Sequence, residues 1–169
     1  MSGFLTLPEY GVVWETKAER LVALEPMFIG EYQASVDDKG RLAIPAKFRV
    51  EFKGRCVVTR GLDSSLFVYG LGEWEKLANK LATLPISQAN TRAFSRLMLA
   101  GAMDLEIDKQ GRVTLPDYLR QFAGVSKQVV IAGLYNRLEI WDQKKWDKYK
   151  GETEKESTSI AEAMGELGV

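Results

Sequence analysis

Arg41 and Arg112 are the side chains in this sequence whose type and spacing best suit a chemical task. Each stands four residues after an aspartate, Asp37 or Asp108, and directly after a glycine, Gly40 or Gly111. A guanidinium presents its donors in a planar fork that matches the O6 and N7 acceptors of guanine. Two arginines carried on stiff hairpins could therefore read base edges in a major groove. Lys39 and Lys109 lie on the same turns, and Arg49 and Arg120 follow eight residues after each key arginine; these four are candidates to hold phosphates. Asp37 and Asp108 would repel a phosphate, so their expected task is to form the turn and orient the neighbouring arginine. The alternative is a purely structural Asp–Arg ion pair on each hairpin, and both readings can hold together.

Other chemistries find little material. There is no histidine, which removes His-based triads, general bases and metal sites. Cys56 is the single cysteine and lies in the apolar stretch Cys56-Val57-Val58, where a buried, inert thiol is expected. One cysteine excludes a disulfide framework and a zinc cluster, and fits a reducing cytoplasm. Asp37-Asp38 suggests a hard-metal site, but the second copy has Asp108-Lys109 there, so no metal and no cofactor is expected. The longest apolar run, Val129 to Tyr135, is too short to span a bilayer, and Met1 to Val13 has no basic start before its apolar residues. The expectation is a cytoplasmic protein that is not an enzyme, with no membrane partner and no small-molecule substrate.

The elements that must position the arginines occur twice. Residues 36–49 read VDDKGRLAIPAKFR, and residues 107–120 read IDKQGRVTLPDYLR. At an offset of 71, Asp37, Gly40, Arg41, Pro45 and Arg49 match Asp108, Gly111, Arg112, Pro116 and Arg120. At an offset of 72 the likeness continues, with Leu66, Tyr69 and Trp74 against Leu138, Trp141 and Trp146. Such self-similarity marks one supersecondary unit used twice.

In the first copy, strands are expected over 31–36 and 41–44, joined by a type I turn with Asp first and Gly last, closed by a bulge. Pro45 and Pro116 end the second strand and start a helical turn. Cys56 to Arg60 and Leu66 to Tyr69 follow as strands, with Val129 to Ala132 and Leu138 to Trp141 as their counterparts.

Between the copies, Trp74, Leu77, Leu81 and Leu84, then Ala89, Ala93, Leu97 and Ala100, recur at helical spacing; Pro85 separates them and Ser87 can cap the second helix. Residues 151–169 are polar, acidic and rich in Ser, Thr and Glu, and read as mostly disordered with a weak final helix. A unit of about 45 residues is at the limit of independent stability. Two such units are therefore expected to interleave their hairpins and close into one small barrel. The expected organisation is an extension over 1–26, repeats over 31–73 and 102–145, a helical insert over 74–101, and a helix end with an acidic tail over 146–169.

The whole chain has 23 basic and 23 acidic residues, a formal net charge of +0 that by itself argues against nucleic acid. Its distribution argues otherwise. Residues 1–26 hold two basic and four acidic residues, and residues 151–169 hold one and five; residues 27–150 hold 20 and 14, a net of +6. Lys39 to Arg60 alone contains seven basic residues against Glu51. A basic body between acidic ends is a different object from a neutral chain.

The duplicated strand–turn–strand–Pro unit with its helical insert resembles the MraZ family of bacterial transcriptional regulators, built from two tandem SpoVT/AbrB-type domains. The resemblance rests on the repeated D-x-x-x-R motif, Asp37 to Arg41 and Asp108 to Arg112, each followed in register by the same Pro and Arg. It runs from Met27 to about Tyr149. It implies an α+β fold in which two AbrB-like swapped-hairpin units close into one barrel. It also implies a ring-shaped homo-oligomer, associated with the nucleoid, that binds double-stranded DNA at short G-containing direct repeats. The target would lie upstream of the protein's own cell-division and cell-wall operon, with repression as the usual outcome. Residues 1–26 depart from the family, which starts where Met27 stands; a start codon placed too far upstream is favoured over a real added arm. The rival reading is a protein-interaction scaffold or antitoxin-like module using the same barrel.

Overall fold

Turn chemistry and proline placement set each half. In the computed structural model, which describes residues 27–168, β1 (Phe28–Ser35) and β2 (Arg41–Ala43) flank the Asp37–Gly40 turn. The chain continues through α1 (Ala46–Phe52), β3 (Arg55–Arg60) and β4 (Leu66–Tyr69). The second half repeats this order as β5 (Met103–Glu106), β6 (Arg112–Thr114), α4 (Asp117–Ala123), β7 (Gln128–Tyr135) and β8 (Leu138–Asp142). Between them stand α2 (Leu71–Ala82) and α3 (Ala89–Ser95), and α5 (Gln143–Met164) follows β8. The expected extension over 1–26 lies outside the described residues.

Pro45 and Pro116 keep extended backbone, with ψ of 134° and 146°, and α1 and α4 begin at the next residue. Each proline ends a three-residue strand because it has no N–H to continue the ladder.

Beyond a single Val36–Leu42 bridge, the hairpin strands find their partners in the opposite copy. β1 pairs with β7, β5 pairs with β3, and β2 pairs with β6, all antiparallel. The result is α+β, with one six-stranded sheet in the order β1-β7-β8-β4-β3-β5 and a separate β2–β6 ribbon. This order has ends at β1 and β5, so strand pairing does not close into the expected barrel. The ribbon continues both end strands, β1 through the Asp37 turn into β2 and β5 through the Asp108 turn into β6. One core nonetheless serves both halves, joining Phe28, Leu42, Phe48 and Phe52 to Val113, Leu119, Ile131 and Ile140.

Three helical expectations are corrected. Gln88, not Ser87, precedes α3, and no side chain caps it. Ala89, Ala93 and Ala100 are exposed, and the buried residue of this segment is Met98. A π-helical turn over Arg96–Ala100 shifts the phase and rotates Met98 inward. The acidic tail is not disordered, since α5 runs unbroken from Gln143 to Met164. The Asp142 side chain caps it by accepting from the Lys144 amide at 3.1 Å, and Trp146 and Tyr149 pack their rings on Trp141 at 5.4 and 5.1 Å. Lys150 binds Glu31 of β1 at 2.9 Å, and this bond holds the Glu31 carboxyl below its usual range. Farther along, the Thr153, Ser157 and Ser159 hydroxyls donate to carbonyls of the preceding turn, so they do not compete with the helix.

Candidate nucleic-acid interface

Each hairpin turn is built by its aspartate. Gly40 donates its amide to the Asp37 carbonyl at 2.9 Å and Gly111 to that of Asp108 at 2.8 Å; the glycines have φ of 77° and 78°. The same carboxylate then works from both oxygens. Oδ1 of Asp37 accepts the amides of Lys39 and Arg41, both at 2.9 Å, while Oδ2 accepts Nε of Arg41 at 2.7 Å. In the second copy Oδ1 of Asp108 accepts the amides of Gln110 and Arg112 at 2.9 and 3.0 Å, and Oδ2 accepts Nε of Arg112 at 2.9 Å. One carboxylate thus closes the turn and aims the guanidinium, whose remaining N–H groups extend past the pair. The arginine side chains are 32% and 29% exposed, which is ordered yet reachable.

These bonds, the arginine backbone amide first, hold both carboxyls below the ordinary aspartate value of 3.8. Their contribution to the turn is therefore complete above 3.8 and lost as pH falls through the lowered values. A carboxyl NMR titration should place the midpoints of Asp37 and Asp108 below 3.8. A midpoint at or above that value in either residue would mean that the turn bonds do not form in solution.

The ribbon sets both arginines on one face. Arg41 stands opposite Thr114, Leu42 opposite Val113 and Ala43 opposite Arg112. Leu42 and Val113 point into the core at 0% and 1% exposure, so Arg41, Ala43, Arg112 and Thr114 share the outer face. At this diagonal the two arginines are roughly 7–8 Å apart along the ribbon. Sequence reasoning missed Ala43 and Thr114, although their position two residues after each arginine was the available signal. They are small, so nothing on the ribbon screens the guanidiniums. A Thr or Ala methyl can also touch a thymine methyl.

Arg49 and Arg120 sit beneath the ribbon rather than beside it. Arg49 donates from Nε to the Ile44 carbonyl at 2.8 Å, and Arg120 does so to the Leu115 carbonyl at 3.2 Å. Each guanidinium also lies against the turn glycine of the opposite copy. A Cβ on Gly111 would fall 2.1 Å from Nε of Arg49, and one on Gly40 would fall 3.1 Å from Nε of Arg120. The same glycines accept across the copies, Ile44 N to Gly111 O at 2.9 Å and Leu115 N to Gly40 O at 2.8 Å. Gly111→Ala should therefore cost about 2 kcal/mol, from a left-handed alanine and a displaced Arg49. In an Arg49→Ala background the cost should fall to the backbone part alone. Equal losses in both backgrounds, by urea denaturation, would separate Gly111 from Arg49.

Lys39 and Lys109 are exposed on the turns, flanking the arginine face. Cys56 is fully buried, and burial pushes its thiol up to about 12, which leaves it unreactive. Among the described residues no group of three or more Cys, Asp or Glu side chains could hold a metal ion, and no helix is long and apolar enough to cross a membrane.

The model of the family described as "MraZ protein, putative antitoxin-like" matches this chain twice, over residues 27–97 and 98–166. A protein of Halothermothrix orenii named "Transcriptional regulator MraZ" is 50% identical over 143 residues, covering 85% of this chain and 100% of the relative. The proteins of that name from Acetivibrio thermocellus and Natranaerobius thermophilus are 48% and 47% identical over the same share of each chain.

Proposed function

The chain belongs to the MraZ family, and from that premise we propose that it is a transcriptional regulator that binds double-stranded DNA through the outer face of the β2–β6 ribbon. The observation that carries this reading is the ribbon itself. Two arginines, each aimed by its own aspartate, stand with two small residues on a two-stranded ribbon of the kind that enters a major groove. Arg41 and Arg112 read guanines, and Lys39 and Lys109 hold the flanking phosphates. Arg49 and Arg120 support the turns from below and offer their outer N–H groups to the DNA backbone, Arg120 with one of its nitrogens also paired to Asp117. The protein acts by binding, not by catalysis.

We extend the proposal to the target. One ribbon makes few base contacts and would bind weakly on its own. A ring-shaped homo-oligomer sets several ribbons along short direct repeats, so that each bound copy raises the effective concentration of the next. The site is upstream of the protein's own cell-division and cell-wall operon, which it represses. The basic body over 27–150 supports phosphate contact, and the acidic stretch over 151–169 follows the second repeat and lies outside the paired hairpins.

Fluorescence anisotropy with DNA from upstream of its own gene tests the reading. Affinity should fall linearly in log K against log salt, as phosphate contact requires. Absence of binding to that DNA at low salt would end the proposal. Binding that ignores salt would favour an apolar protein interface in its place.

A further inference from the structure

The backbone of the ribbon has a local two-fold axis. Leu42 faces Val113 at its centre, and a half-turn about that pair exchanges Arg41 with Arg112 and Ala43 with Thr114. The turns obey the same symmetry. The amides of Lys39 and Gln110 each donate to the first aspartate of their turn at 2.9 Å, and Gly40 and Gly111 have φ of 77° and 78°. The side chains around the arginines do not obey it. The half-turn sets Asp38 against Lys109, Lys39 against Gln110, Thr114 against Ala43 and Asp117 against Ala46, all of them exposed. The next difference, Lys47 against Tyr118, is occupied elsewhere, since Lys47 donates to the Ile29 carbonyl at 2.9 Å.

Cross-copy pairing sorts these differences to opposite ends. At the Arg41 end the first turn meets Thr114 and Leu115, with Arg120 beneath; at the Arg112 end the second turn meets Ala43 and Ile44, with Arg49 beneath. At the same place on the two turns, Asp38 repels a phosphate where Lys109 attracts one. Beneath them, Asp117 takes up one nitrogen of Arg120, whereas Arg49 has Ala46 in the corresponding place. The Arg112 end is therefore the better built to grip a backbone. Phosphates recur along a duplex whatever its sequence, so grip alone gives no direction. Base edges do. Thr114 sets a methyl and a hydroxyl opposite Arg41, where Ala43 sets only a methyl opposite Arg112.

We infer that the ribbon reads a non-palindromic site in one orientation, that Thr114 selects the base pair beside the guanine of Arg41, and that Lys109 and Arg49 hold the backbone at the other end. The inference rests on the DNA-binding reading above and adds the residues that give it direction. A two-fold reader selects a palindrome, because the symmetry of a site mirrors that of the protein. A ribbon with a two-fold backbone and unlike flanks selects the same two guanines with unequal neighbours. The arginines themselves stay equivalent; the asymmetry lies around them. A reader with direction is also what repeats running one way along a duplex require, since a symmetric ribbon would accept either direction equally.

Selection by the full chain from duplexes with a randomised core tests it, followed by anisotropy on the enriched sequence. The parent should enrich a motif that differs from its own reverse complement about the point between the two guanines. Changing the base pair beside the Arg41 guanine should weaken the parent about fivefold or more, and Thr114→Ala less than twofold. A second variant, Asp38→Lys/Lys39→Gln/Ala43→Thr/Ala46→Asp, gives the first copy the flanks of the second. It adds two charges and removes two, so net charge is unchanged, and its motif should become palindromic. Melting temperature checks both folds, and Thr114→Ala alone carries the test if the fourfold variant misfolds. A palindromic motif from the parent overturns the inference and leaves DNA binding standing. A one-way motif that persists unchanged in the well-folded variants overturns the assignment to these residues. No enriched motif at low salt overturns the sequence-specific reading itself.

Discussion

Arg41→Ala and Arg112→Ala should each weaken binding to the upstream DNA by about 10- to 100-fold, while binding to random DNA changes by no more than a few fold. The magnitude follows from the chemistry of the contact, since one good two-toothed arginine–guanine pair discriminates by about 1–3 kcal/mol. The two variants should behave alike. Each arginine leads its ribbon strand, each is aimed by the aspartate four residues before it, and each stands opposite a small residue of the other strand. The double variant should retain little beyond salt-sensitive, sequence-independent affinity. Melting temperatures should stay close to that of the parent, because an exposed ion pair contributes little to folding. Lys39→Ala and Lys109→Ala supply the control. They should weaken all sequences similarly and lower the salt slope by about one each. Unchanged affinity in both arginine variants, with the fold intact, would remove the ribbon face from the interface.

The parts of this site that were legible in the sequence are those set by local chemistry. Asp37 and Gly40 specify their turn within four residues, and Pro45 ends β2 by lacking a donor; both facts can be read without knowing the fold. The internal repeat then places Asp108, Gly111 and Pro116 in the same roles. What local chemistry cannot convey is which strand a hairpin will join. β1 and β5 have the same pattern whether they pair within a copy or across copies; the interleaving expected from the small size of each unit, and found in the structure, follows from the need for one shared core. Arg49 shows the consequence. Its position after the helical turn marks it as a phosphate candidate; what the position does not convey is that cross-copy pairing brings Gly111 over it and turns its Nε to the Ile44 carbonyl. The insert failed for a different reason. Its alanine stripe assumes 3.6 residues per turn, and one π-helical turn is enough to exchange the buried and exposed faces. The tail misled through composition, because Ser and Thr count against a packed element but are tolerated on the exposed second half of a helix that is capped and packed at its start.

Phe28→Ala should cost about 3–5 kcal/mol, a large share of the roughly 5–15 kcal/mol that holds a domain of this kind together. Phe28 is fully buried at the start of β1, with its ring edge-on to Phe48 at 5.3 Å and stacked on Phe52 at 5.0 Å. Its backbone pairs with Tyr135 of β7, and a Cβ on neighbouring Gly133 would fall 2.6 Å from its carbonyl carbon. The backbones here are therefore too close to collapse into the space an alanine would leave, and a cavity should persist. Phe28→Leu keeps much of the volume and should lose less than half as much. Because β1 belongs to the first copy and β7 to the second, the cavity opens where the halves join. Urea denaturation, compared at one protomer concentration, should show a lower midpoint with both halves unfolding in a single transition. A loss below about 1 kcal/mol would indicate that the halves hold together without this core. Two separated transitions would do so more directly, and would leave the ribbon that carries Arg41 and Arg112 without the shared support argued for it.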